Sequence, residues 1–480
     1  MQTMTTIKCA KKYGTNNNLI ILVSDTKQLP KDILSKEEIT FAKKNFDLEN
    51  KSVALNKFSH WVFVQFIDLK SDENSTSEAA RKSADILLES INKQKLKSVA
   101  ILDYSKNEIL ALPFAEGLAL GNYQFLKYFK EKNKKRNALA EIIIISSLIK
   151  KESADQLNIL TEANGVARTL VNEPLSYLTA EKLSEEIKIL FKETDAKVEV
   201  LNKKKIESLK MGGLLAVNKG SIDPPTFSII EYKPENAVNK KPFVFVGKGV
   251  VYDTGGLNIK TEDYMNDMKC DMAGAAAVTG SLYAIAKAKL PVYVIGLIPA
   301  TDNRPDGNAY VSGDVINMYN GTTVEVINTD AEGRMLLADA LSYAKKYKPE
   351  LVIDLATLTG SAQRAIGHNG SVAMGTKADE QMQLLSESGY RVYERIVEFP
   401  FWDEYNEELK STIADLKHLG GPTAGAITAG KFLEHFTDYP YIHLDIAGTA
   451  FLKKKDSYRG IGGTGVGVRL LFDFIKHKTL

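Results

Sequence analysis

Cysteine is nearly absent, with Cys9 and Cys270 the only two in 480 residues. Two thiols build neither a disulfide framework nor a four-cysteine zinc site, and they fit a reducing compartment. No apolar run approaches the roughly 18 residues of a membrane-spanning helix. The N-terminal stretch has one short apolar run, Leu19–Val23, without the longer apolar region and small-residue cleavage site of a secretory signal. A cytoplasmic location without membrane partners is therefore expected. An excess of one charge is also missing: Lys and Arg number 62, Asp and Glu 60, for a net charge of +2. A chain so balanced has no overall field for gathering nucleic acid. Its densest basic stretch, Lys127, Lys130, Lys132, Lys134, Lys135 and Arg136, reads as a solvated helix end, so nucleic acid is not an expected partner.

What is present is the balance of a globular protein, 44% apolar and 25% charged. The length exceeds one ordinary core and predicts two domains. In the first part, LIILVS (19–24), WVFVQFI (61–67), SVAILD (98–103) and EIIIISS (141–147) read as strands, with helices predicted over 77–94 and 117–132. This alternation predicts a largely parallel sheet with helices on its faces. A long amphipathic helix over 153–170 follows, ending before Pro174, and the linker is placed there. Five apolar runs beyond it, 243–247, 291–298, 323–327, 351–356 and 441–448, read as strands buried on both faces. Helices are predicted between them at about 272–289, 335–347 and 425–437.

Two segments carry chemistry. In VGKGVVYDTGGLNIKTEDYMNDMKCDMAGAAAV (246–278) a buried strand ends at Gly247, and a glycine-rich loop spreads Lys248, Asp253, Lys260 and Asp271 before the next helix. In VEVINTDAEGRMLLADALSYAKK (324–346) a strand ends at Ile327, and Asp330, Glu332 and Arg334 alternate. An extended loop would aim those three the same way. Ligand sites of open α/β sheets collect beyond the carboxyl ends of the strands. Two such loops on adjacent strands would bring Asp253, Asp271, Asp330 and Glu332 together.

Taken singly, each residue has an ordinary reading. Asp271 is a candidate helix N-cap, Glu332 suits the first turn of a helix, Asp253 beside Thr-Gly-Gly is turn chemistry, and lysines are mostly solvated. As a group they are less ordinary. Four carboxylates in one dry site repel and take up protons unless cations neutralise them. A pair of divalent ions does so, and oxygen ligands suit Mg²⁺ or Mn²⁺ and also serve Zn²⁺. Lys260 and Arg334 would place positive charge where an oxyanion develops.

At these residues the sequence resembles the leucyl (cytosol) aminopeptidase family of metallopeptidases. NTDAEGRMLLADAL (328–341) reproduces the family signature almost unchanged, and Lys248, Asp253, Lys260 and Asp271 follow at its steps of 5, 7 and 11. RTLVNEPLSYLT (168–179), DLATLTGSA (354–362), GAITAGKFLEHF (425–436) and HLDIAGTA (443–450) also match, and the resemblance covers about 165–475. It implies a smaller N-terminal α/β (macro-like) domain over 1–151, a linker helix over 152–171, and a larger mixed-sheet α/β catalytic domain flanked by helices over 172–480.

The resemblance also implies roles. One divalent ion (Zn²⁺ or Mn²⁺, with Mg²⁺ as a further option) would be held by Asp253, Asp330 and Glu332. The second would be held by Lys248, Asp253, Asp271 and Glu332. A hydroxide bridging the two would attack the first peptide bond of a substrate with a free N-terminus. Lys260 would polarise the carbonyl, and a bicarbonate held by Arg334 would act as general base. Met268, Thr357, Leu358 and Ala450 would line an apolar pocket for a bulky aliphatic first residue such as leucine, and the assembly would be a homohexamer.

Some positions depart from the family pattern: Ser176 and Ala180 in the linker turn, and Pro422 or Thr423 where an arginine is usual. Three other functions fit the sequence less well. A metal-binding scaffold with residual activity is disfavoured because all seven matching residues are present. Nucleic-acid binding rests on the basic stretch alone. Phosphoryl transfer is disfavoured because GKGVVYDTGG (247–256) has neither the Walker nor the dinucleotide glycine spacing.

Overall fold

The computed structural model describes residues 5–479. The chain forms two compact units, one of residues 1–165 with 454–460, the other of 166–453 with 461–480. No helix among the described residues is long and apolar enough to cross a membrane.

The first unit is built on a six-stranded sheet. Its order is Thr6–Ala10, Glu141–Ile145, Ser98–Asp103, Leu19–Val23, Trp61–Phe66, Ser52–Asn56. All neighbours are parallel except the last pair, and buried apolar side chains fill a core on each face. The helices Glu73–Lys93 and Ala111–Gly121 lie in this unit. The helix expected over 117–132 is thus displaced. Its start is fixed earlier by Asp103, whose carboxylate accepts the Leu110 and Ala111 amides at 2.8 Å. Past Gly121 polar side chains tie the chain into a loop. Asn122 donates to the Leu139 carbonyl at 2.8 Å, and Gln124 both donates to Lys135 O and accepts from Asn137 N. These bonds span the loop, so helical periodicity does not reveal them.

The second unit carries a nine-stranded mixed sheet. Its central strands Tyr441–Asp445, Leu351–Ala356, Phe243–Gly247 and Val294–Asn303 run parallel in that order. Thr226–Tyr232 and Lys197–Leu201 extend one side antiparallel, and Ser371–Thr376 pairs antiparallel on the other. The central strands are buried along their length, as the unbroken apolar runs require. Helices Ala273–Lys287 and Gly333–Ala344 are themselves almost wholly buried.

Three expectations are corrected here. The chain does not pass from Gly247 into a loop: Gly249–Asp253 is a further strand, parallel to the far half of Val294–Asn303. That pairing draws the latter strand out to Asn303, beyond the expected 291–298. The run 323–327 is not in the large sheet. Thr323–Glu325 instead joins Val315–Asn317 and Leu416–Lys417 in a small three-stranded sheet.

Candidate active site

The parallel strands deliver their carboxyl ends to one edge, where open α/β sheets collect ligands. Lys248 follows Phe243–Gly247, Asp253 ends Gly249–Asp253, Asn303 ends Val294–Asn303, Thr357 follows Leu351–Ala356, and Asp445 ends Tyr441–Asp445. Asp271 arrives from a 3-10 turn, Met268–Met272, rather than preceding a helix as an N-cap. Asp330 also lies on a 3-10 turn, Thr329–Ala331, and Glu332 begins the Gly333–Ala344 helix. The segment 329–334 is therefore helical, not extended, because Asn328, itself extended, caps the turn by accepting the Asp330 amide at 2.8 Å.

The six expected residues meet in two ion-paired sets. Lys248 Nζ lies 2.7 Å from Asp271 Oδ1 and 3.0 Å from Glu332 Oε1. Lys260 Nζ lies 2.7 Å from Asp253 Oδ2 and 2.5 Å from Asp330 Oδ1. Lys248, Asp253, Asp271 and Glu332 are buried, while Asp330 is partly open, its side chain 34% exposed. One carboxylate oxygen from each of Asp253, Asp330 and Glu332 lies within 4.8 Å of the others.

Crowding of buried charge governs the electrostatics. Burial and then the Glu332 charge push Asp253 up to about 7, against the pull of Lys260. Burial lifts Asp271 well above the carboxylate range, with Lys248 opposing. Burial also acts to raise Glu332, but Lys248 and Lys260 prevail and hold it low. Both lysines resist burial because the carboxylates hold their pKa values above the usual range.

The donor set fits divalent cations. Four carboxylates share two ammonium groups, and Asp271 Oδ2 is buried without a hydrogen-bond partner among the described residues. An unsatisfied buried carboxylate oxygen is costly, and a cation would satisfy it.

Several residues that the sequence did not single out hold this arrangement. Asn303 donates to Asp253 Oδ1 at 2.8 Å and to the Thr329 carbonyl at 3.0 Å, joining the two segments. Tyr310 donates to the same carbonyl at 2.8 Å. Thr329 donates to Gly255 O at 2.6 Å. Gly255, at φ +88°, turns the chain where a side chain would be strained and would stand 2.4 Å from Asn258 O. His418 is buried behind the second segment. It accepts from Ile327 N at 3.1 Å through Nδ1 and reaches Asn328 O at 2.9 Å through Nε2. Those partners fix the neutral tautomer. Burial, with Arg334 beside it, lowers its pKa to about 3. Polar TDN at the end of an apolar run was the one signal for Asn303; His418 carried none in its spacing.

Arg334 is buried in the first turn of its helix and donates to the His418 carbonyl at 2.7 Å. Thr357, expected in a substrate pocket, is also bonded into the charged cluster. Its carbonyl accepts from Lys248 at 2.9 Å, and its hydroxyl donates to Asp271 at 2.8 Å. Leu358 follows it, its amide on Asp445 at 3.2 Å. Met268 opens the turn that carries Asp271. Ala450 is buried and bonds to Ile446 and Thr464.

Residues 165–472 match the catalytic domain of the cytosol aminopeptidase family. A "Probable cytosol aminopeptidase" of Chloroherpeton thalassium is 42% identical, covering 85% of this chain and 84% of that protein. Its counterpart in Chlorobium phaeobacteroides is 46% identical over 78% and 77%. Among solved structures, the bottromycin maturation enzyme BotP in complex with Mn superposes with a TM-score of 0.85 at 27% identity, covering 96% of this chain and all of that one. A mutant tomato leucine aminopeptidase gives 0.85 at 25% identity, over 98% and 96%. The chain thus belongs to the cytosol aminopeptidase family, and hydrolysis of peptides from their amino end is the activity that this membership gives it.

Proposed function

We propose that this aminopeptidase removes bulky aliphatic first residues, leucine among them, with the charged cluster holding two divalent ions. The observation that carries this reading is the convergence of four carboxylates with an unpartnered Asp271 oxygen at the carboxyl edge of the sheet. Asp253, Asp330 and Glu332 would hold one ion, and Lys248, Asp253, Asp271 and Glu332 the other, with Asp253 and Glu332 shared. Zn²⁺ and Mn²⁺ are the proposed ions, and Mg²⁺ also suits the oxygen donors. When bound, such ions supply an activated water and polarise a carbonyl.

The chain's own residues do the rest. The cluster so loaded would take the substrate's neutral α-amine as a ligand and so select a free N-terminus. Lys260, charged and partly open to the site, would face the carbonyl oxygen as negative charge develops. Arg334, at a helix start suited to anions, would hold a bicarbonate supplying a proton acceptor. Met268, Thr357, Leu358 and Ala450 would form the side-chain pocket. We assign the catalytic domain to 172–480, with 454–460 falling in the first compact unit, the linker helix to 152–171 and the N-terminal domain to 1–151. We further propose a cytoplasmic homohexamer.

The test is release of leucine from a leucyl dipeptide by protein stripped with chelator and reloaded with Mn²⁺ or Zn²⁺. Turnover should return with metal and should cease when the substrate amine is acetylated. Asp330→Ala and Glu332→Ala should each abolish turnover and lower metal per chain. Turnover without metal, or full activity in either variant, would overturn the reading.

A further inference from the structure

Asp445 is a buried carboxylate outside the charged cluster, 1% exposed at the end of its strand. It stands in register with Ala356, the last residue of the neighbouring parallel strand. Beyond Ala356 the chain turns through Thr357, Leu358 and Thr359, and Asp445 grips that turn. Its Oδ1 accepts the Leu358 amide at 3.2 Å and the Ala447 amide at 3.1 Å. Its Oδ2 accepts the Thr359 hydroxyl at 2.7 Å. Thr359 in turn caps the helix Gly360–Ile366 by accepting the Ala362 amide at 3.0 Å. An ionised carboxylate only accepts, so three donors suit its two oxygens. Hydrogen bonds to an ionised acceptor are roughly twice as strong as neutral ones.

The turn so held carries Thr357 to the cluster. Thr357 and Lys248 both donate to one oxygen of Asp271, Oδ1, at 2.8 and 2.7 Å. Lys248 also donates to the Thr357 carbonyl at 2.9 Å. With Oδ1 engaged twice, the oxygen left bare is the buried Oδ2, which has no hydrogen-bond partner among the described residues. Thr357 thus helps to set which way the Asp271 carboxylate is turned. Packing confines the turn less than the strand before it: Leu351–Ala356 is buried throughout, whereas Thr357, Leu358 and Thr359 are each only partly buried. The hydrogen bonds to Asp445 supply the hold that packing does not.

We propose that Asp445 is a positioning residue for the hydrolytic reaction: by holding the Leu358 amide and the Thr359 hydroxyl it fixes Thr357, and through Thr357 the direction in which Asp271 offers its free oxygen. Asp445 is not itself one of the proposed ligands. The consequence for metal rests on the reading of Asp271 given above as a ligand.

The test compares wild type, Asp445→Ala, Asp445→Asn, Thr357→Val and the double variant Asp445→Ala/Thr357→Val. Each is stripped with chelator and titrated with Mn²⁺. Binding is read by equilibrium dialysis and turnover by release of leucine from a leucyl dipeptide. Loss of a group that orients a metal ligand costs about 10–100-fold in metal affinity or activity. Asp445→Ala should lie at the upper end of that range in Mn²⁺ affinity. Asparagine keeps an acceptor for the two amides, so Asp445→Asn should lose only about tenfold. Both positions act along one connection, so the double variant should lose no more than the worse single variant, whereas independent effects multiply. Unchanged affinity in Asp445→Ala, equal losses in Asp445→Ala and Asp445→Asn, or multiplied losses in the double variant would each overturn the proposal. Should Asp445→Ala fail to fold, Asp445→Asn takes its place alone and with Thr357→Val. A loss of about tenfold that does not multiply is then expected, and unchanged affinity or multiplied losses overturn it. A wild type that turns over without binding Mn²⁺ would remove the ligand reading of Asp271; the same variants compared in kcat would then decide on Asp445.

Discussion

Gly333 lies against the side chain of Lys248 so closely that a Cβ on the glycine would stand 2.4 Å from Lys248 Cε and 2.7 Å from its Nζ. The glycine between Glu332 and Arg334 is thus the space in which the lysine of the other segment reaches Asp271 and Glu332.

Gly333→Ala should consequently displace the ammonium group and cost at least about 10²-fold in turnover. Overpacking of this kind destabilises by about 1–3 kcal/mol, readable as a lower melting temperature. Gly307→Ala is the control, because no atom lies within 4 Å of a Cβ there; it should leave both quantities unchanged.

Lys248→Arg keeps the positive charge and should still pair with Asp271 and Glu332. Arginine does not give up its proton in proteins, so it cannot serve as a neutral nitrogen ligand. The variant should fold and carry less metal per chain by elemental analysis, with turnover lost. Wild-type metal content would remove Lys248 from the proposed ligand set.

Lys260→Ala tests a different role. Its ammonium group faces Asp253 and Asp330 and is partly open to the site. Loss of a group that stabilises developing negative charge costs about 10²–10³ in kcat. Metal per chain should hold close to wild type, and an equal loss of metal affinity would argue for a structural part instead.

His418 provides a pH prediction. Its folded pKa of about 3 lies below the ordinary 6.5, so between these values the unfolded chain binds the extra proton. Stability from the neutral ring is complete above about pH 6.5 and is lost as pH falls toward 3. At pH 5 the deficit approaches about 2 kcal/mol. His418→Gln supplies a similar acceptor and donor without titrating. Its urea midpoint should fall less than that of wild type between pH 7 and 5, and parallel falls would refute the assignment.

The apolar runs announced the central strands because burial on both faces leaves no polar alternation to confuse the reading. Asp330, Glu332 and Arg334 were legible as a group because they crowd beside one such run, and Lys248 through Asp271 because they crowd beside another. How the two crowds are joined was not legible. Asn303 is 50 residues from Asp253 in the chain, and His418 lies 91 from Ile327. Single-chain spacing carries no trace of such bonds. The alternation of Asp330, Glu332 and Arg334 was read with a strand period, whereas the Asn328 cap winds that stretch into a helical turn. The short strand Thr323–Glu325 was assigned to the main sheet because its apolar pattern alone does not say which partner it has.

Residues 454–460 belong to the first unit although nearly 290 residues of the second precede them. Within that unit Tyr458 is buried, its hydroxyl donating at 2.8 Å to Glu78, 380 positions earlier, and Lys455 pairs with Asp85 at 2.9 Å. During synthesis the ribosome delivers Glu78 and Asp85 long before their partners exist. The bulk of the first unit is made before the second, yet it reaches its finished form only after residue 460 has been added. A fragment ending at residue 165 would lack that tyrosine and lysine, so Asp85 would lose its pair with Lys455 while Glu78 kept Arg81 and Lys82.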